Sequence, residues 1–76
     1  MNPKQALELL IKDGYFEIRE DGWAFLVKGP ASNDLRSMDE FVLCIKTLGA
    51  WSIGNDRRVL ITRADRPDQL MWKLAK

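Results

Sequence analysis

Apolar positions along the chain fall into blocks of helical spacing separated by blocks of strand-like alternation. Near the start, Ala6, Leu7, Leu10 and Ile11 recur at helical intervals. Asn2 suits the N-cap, Pro3 the first helical position, and Gln5 the third, where it completes a capping box. Gly14 suits the left-handed residue that ends a helix. A first helix is therefore expected over residues 3–13.

Residues 15–28 switch to period two around Asp21-Gly22, a pair favoured in two-residue type I′ hairpin turns. That turn sets a register in which Glu20 faces Trp23, Ile18 faces Phe25 and Phe16 faces Val27. Phe16, Ile18, Trp23, Phe25 and Val27 then make a core face. Tyr15, Glu17, Arg19, Ala24, Leu26 and Lys28 occupy the opposite face, which is mixed enough to meet water or a partner.

Residues 29–33 read as a short connection. Ser37 and Glu40 match a capping box at the start of a second helix, Gly49 can end it, and Phe41, Cys44, Ile45 and Leu48 form its buried stripe. Residues 50–53 and 57–63, joined by Gly54-Asn55-Asp56, read as a second hairpin, so that a helix-hairpin unit recurs. In the last segment, residues 69–74 alternate as a strand would, while their flanks favour a helix. Asp65-Arg66-Pro67-Asp68 offers a helix start and the residues after it are good helix formers, so a third helix is expected over residues 66–75. On it Leu70, Met71 and Leu74 point inward and Trp72 outward. The fold class is α+β, helix-hairpin-helix-hairpin-helix, with one four-stranded antiparallel sheet packed on the helices and a single domain over residues 1–76.

Composition agrees with a globular domain, at 76 residues, 46% hydrophobic and 30% charged. The longest apolar run, Phe41 to Ile45, is far short of the roughly 18 residues of a membrane span. A start without a secretory pattern and a lone cysteine lead us to expect a cytoplasmic protein with no membrane partner. The net charge of +1 argues against a general grip on polyanions. Charge is nonetheless uneven: residues 57–76 hold six basic and two acidic side chains.

The chain has no histidine, which removes the usual general base and the commonest transition-metal ligand. Cys44 sits in an apolar stripe, where an inert buried thiol is expected rather than a nucleophile. The adjacent acids Glu20-Asp21 and Asp39-Glu40 read as a hairpin tip and a helix start. The glycine spacing of Gly49 and Gly54 lacks the lysine and hydroxyl residue that a phosphate loop needs. No catalysis, cofactor or metal is expected.

Two binding surfaces remain. Arg57, Arg58, Arg63 and Arg66 can contact phosphates while Trp72 or Trp51 stacks on a base. Against this, the same arginines can simply pair with Asp56, Asp65 and Asp68. The open sheet face, with Tyr15, Arg19, Leu26 and Lys28, has the residue types of a protein interface; a third helix or a second copy of the chain can equally cover it. Trp23 and Trp51 follow the core pattern. The expected function is a non-enzymatic protein-binding module (adaptor, regulator or inhibitor), with nucleic-acid binding through the basic C-terminal segment as the alternative.

Overall fold

A computed structural model describes residues 1–29, 35–49 and 58–74, with the side chains of residues 35–37 left aside. It contains α1 (Pro3–Lys12), β1 (Phe16–Ile18), β2 (Trp23–Leu26), α2 (Leu35–Leu48), β3 (Arg58–Arg63) and β4 (Arg66–Leu74). The four strands form one antiparallel sheet in the order β1-β2-β3-β4, and the fold is α+β. No helix among the described residues is long and apolar enough to cross a membrane.

The first helix begins and ends as its sequence dictates. Asn2 Oδ1 accepts from the Gln5 backbone N–H at 2.9 Å, and Gln5 Oε1 accepts from the Asn2 backbone N–H at 3.1 Å. Two of the donors left over at a helix start are thereby satisfied reciprocally. At the other end Gly14 takes φ +79°. Its N–H donates to Ile11 O at 3.0 Å and that of Tyr15 to Leu10 O at 2.8 Å, the paired closure of a Schellman motif. This closure turns Tyr15 back under the helix, where its ring meets Phe41 edge-on at 5.1 Å.

The β1–β2 hairpin differs from the expected one by a single residue, because its loop is Glu20-Asp21-Gly22 rather than Asp21-Gly22. The Arg19 N–H donates to Trp23 O at 2.8 Å, the Gly22 N–H donates to Arg19 O at 2.9 Å, and Gly22 stands at φ +84°. A type I′ turn needs both central residues left-handed, which strains an aspartate. The three-residue loop asks that only of the residue closing it, here a glycine. The pairs become Phe16↔Leu26, Glu17↔Phe25 and Ile18↔Ala24.

A one-residue slip exchanges the two faces of a strand. Ala24 is therefore buried and Leu26 packs on the core, while Trp23 and Phe25 turn to the other side of the sheet. Ile18 keeps the face of Phe16 but is 51% exposed near the loop, and Val27 is 47% exposed.

The main core lies between the helices and one sheet face. It joins Ala6, Leu7 and Leu10 of α1 to Phe41, Cys44, Ile45 and Leu48 of α2, over Phe16, Ala24 and Leu60. The helical stripes are those expected. The start of α2 is not: the helix already runs at Leu35, so Ser37 lies inside it and is not its N-cap. Gly49 ends it at φ +97°.

The C-terminal segment is a strand and not a third helix. Differences in helix propensity among Leu70, Met71, Trp72 and Lys73 amount to a few tenths of a kcal/mol per residue. Pairing with β3 satisfies a ladder of backbone groups and covers Leu60, a larger gain of the kind that routinely overrides propensity. The second hairpin is thus β3–β4, turning at Ala64-Asp65. The strand expected at residues 50–53, with Trp51, lies outside the described residues.

The register of that hairpin jumps between Thr62↔Leu70 and Arg63↔Arg66, leaving Pro67, Asp68 and Gln69 as extra residues on β4. Thr62, fully buried, donates into this bulge: its hydroxyl lies 3.1 Å from Arg66 O, 3.2 Å from Gln69 O and 3.4 Å from Arg63 O.

Two substitutions test this account. Thr62→Val keeps the shape and removes the donor, and should lower stability in urea denaturation by about 1–3 kcal/mol. An unchanged midpoint would show that the bulge does not need the hydroxyl. Gly22→Ala forces a Cβ into the left-handed region and should cost about 1–2 kcal/mol. A neutral result would contradict the three-residue loop.

Candidate functional site

Register determines what the sheet presents away from the helices. Partners directly opposite in an antiparallel pair share a face, so Glu17, Phe25, Ile61 and Met71 form one row across all four strands. Trp23 and Arg63 form the next row, and Val59 and Lys73 lie on the far side. Ile61 is 0% exposed yet stands apart from the helix-side core. It is the floor of a second, smaller apolar cluster on the outer face, under the half-buried rings of Trp23 and Phe25 and beside the half-exposed Met71.

Cations surround these rings. The Arg19 guanidinium lies 3.9 Å from the centroid of Phe25, that of Arg63 lies 5.4 Å from Trp23, and the Lys73 ammonium lies 6.0 Å from Trp23. Lys73 is on β4 and Trp23 on β2, so the lysine stem must cross β3, where Ile61 sits. A long aliphatic stem with its charge held out in water shields apolar surface effectively.

Arg63 also donates from Nε to Asp65 Oδ1 at 3.0 Å, and this bond is the first cause holding the Asp65 carboxyl below its ordinary value. Among the described residues, Arg19 and Lys73 have no carboxylate at ion-pair distance.

The residues nominated from the sequence separate. Arg19 and Arg63 do come together, from the two surfaces treated as distinct, and Arg66 stands opposite Arg63 beside the β3–β4 turn. Tyr15 is buried in the helix-side core and Leu26 packs on it, so neither belongs to the outer face. Lys28 is exposed, with its ammonium 5.6 Å from the Tyr15 ring, away from this cluster. Arg58 is opposite Leu74 and Trp72 opposite Leu60, both on the helix side. Arg57 lies outside the described residues.

Sequence reasoning placed Trp23 and Phe25 in the core and did not nominate Lys73. The signal that would have found them is glycine in the closing position of the loop, which the three-residue hairpin also favours.

Other features offer less chemistry. One open depression of about 440 Å³ is lined by Met1, Gln5, Glu8, Leu9 and Lys12. Another of about 490 Å³ lies at Ile18, Arg19, Glu20 and Asp21. Neither gathers a nucleophile and a base. Among the described residues no three acids or cysteines cluster to hold a metal ion.

Cys44 is buried in the helix-side core, its thiol 3.9 Å from Met1 Sδ. Burial first, then the charges of Glu40 and Asp13, raise its pKa. The thiol therefore stays protonated at neutral pH, and its alkylation by iodoacetamide should be slow in native protein and become fast only on unfolding. Rapid native alkylation at pH 7 would place Cys44 among reactive cysteines instead. Comparison with known protein families, with curated proteins and with solved structures finds no match for this chain.

Proposed function

We propose that the chain is a non-enzymatic module that binds single-stranded nucleic acid on the outer face of its sheet. The supporting observation is Trp23 and Phe25, two residues apart on a central strand, half exposed and ringed by Arg19, Arg63 and Lys73. Alternate residues on one strand face are about 7 Å apart, the reach of neighbouring unstacked bases. Aromatic rings take bases of any sequence, and cations at their margins take the phosphates. In a duplex the base faces are already stacked on one another and are not available to the two rings. The function is therefore the alternative expected from the sequence, moved from the C-terminal segment to a face that spans the sheet. Such a ligand accords with a cytoplasmic location.

Protein contact is the second reading, favoured by the same tryptophan, phenylalanine, methionine and arginine set, which is also that of interface anchors. It includes a second copy of this chain as the partner.

Salt separates the two readings. With three phosphates neutralised, single-strand affinity should fall with a logarithmic slope of about −2, or roughly twentyfold between 50 and 200 mM salt. Fluorescence anisotropy with a labelled thymidine oligonucleotide measures this. A duplex of the same length should bind much more weakly, and Phe25→Ala should cost the single strand at least about fivefold. No binding at low salt, or equal binding of duplex and single strand, would defeat the proposal. Self-association at micromolar concentration without oligonucleotide binding would select the protein reading.

A further inference from the structure

In the free protein Phe25 is already stacked. The Arg19 guanidinium stands 3.9 Å from its ring centroid, in the space that a base would take. The cations near Trp23 are farther off, at 5.4 and 6.0 Å, and leave that ring more accessible. The two arginines also differ in tether. Arg63 is bonded to Asp65 at 3.0 Å, whereas Arg19 is exposed at the edge of the hairpin loop with no carboxylate at ion-pair distance among the described residues. Arg19 can therefore leave its ring without breaking an ion pair.

Resting on the nucleic-acid reading above, we infer that Arg19 is a specificity-determining residue that covers Phe25 until a phosphate draws it away. A guanidinium over a half-buried phenyl ring at the surface favours the covered state by about two- to fivefold. That is enough to resist a neutral ring or an apolar side chain seeking the same face. It is too little to resist a phosphodiester, since the guanidinium gains a charge-assisted and often bidentate hydrogen-bond pair with the phosphate while the base takes its place on the ring. The residue thus couples two events, uncovering of the ring and neutralisation of the phosphate, and only a ligand that carries both base and phosphate satisfies both.

This coupling predicts effects of opposite sign for two ligands with the same bases. Wild-type protein and Arg19→Ala are titrated with a single-stranded thymidine oligonucleotide and with its uncharged methylphosphonate counterpart. For the phosphodiester, the substitution should weaken binding by about fivefold and reduce the salt slope by about 0.7, the share of one phosphate contact on a single strand. For the uncharged oligomer, the substitution should strengthen binding by about two- to fivefold, because the ring is now open. Loss of the ring contact should lower the melting temperature by only a few degrees, measured alongside, so that a folding defect is distinguished from a binding effect.

If both oligomers weaken together, or the uncharged one is unaffected, Arg19 is an ordinary cationic contact and the inference falls while the nucleic-acid function stands. If wild-type protein binds neither oligomer, the function itself fails and the inference fails with it.

Discussion

The loop Glu20-Asp21-Gly22 is the constraint from which the outer face of the sheet follows. Its three residues, with Gly22 in the left-handed region, determine which side chains of β2 face the helices. Ala24, small enough to lie flat beneath a helix, enters the core, and Trp23 and Phe25 are sent to the outer face. With one residue fewer in that loop the rings would be buried and the alanine exposed, and the outer face would lose its aromatic pair. The loop also ties the two hairpins together, since the Ala64 N–H donates to Gly22 O at 3.0 Å. The turn of β1–β2 therefore positions the turn of β3–β4, and with it Arg63 beside Trp23.

The second hairpin rests on a different device. β4 is a nine-residue edge strand, the sort of exposed backbone that recruits other strands. Pro67 removes one donor from it, the three-residue bulge interrupts its regularity, and Lys73 adds a charge, all recognised ways of discouraging edge pairing. The bulge is tolerable because Thr62 reaches into it with a hydroxyl. A buried polar group and a local irregularity are thus two halves of one arrangement, and each would be a liability without the other.

Electrostatics on the outer face combine local positive charge with self-protection. A half-exposed tryptophan and phenylalanine over a buried isoleucine would by themselves be a patch prone to association. The guanidinium and ammonium groups over their rings cover apolar surface while keeping charge in water. The same groups are the ones an approaching polyanion would meet first. Net charge of the whole chain, +1, does not report this local arrangement, in which Glu17 is the one carboxylate in the row of Phe25 and Asp65 engages Arg63.

By itself the sequence determined the features written in local chemistry: the cap of α1 at Asn2 and Gln5, its closure at Gly14, the stripes Ala6-Leu7-Leu10 and Phe41-Cys44-Ile45-Leu48, and the α+β class. These depend on spacings of one to four residues, and nothing distant competes with them. Tertiary structure decided the rest. The loop of β1–β2 had two solutions one residue apart, and the choice inverted the faces of β2. Residues 66–74 suited helix and strand almost equally, and β3, which needed a partner, settled the matter. Arg19, Arg63 and Lys73 are far apart in the chain and meet only because β2, β3 and β4 are neighbours. The outer face was thus hidden from a linear reading, since a face is a property of register, and register is set by turns and pairings between segments.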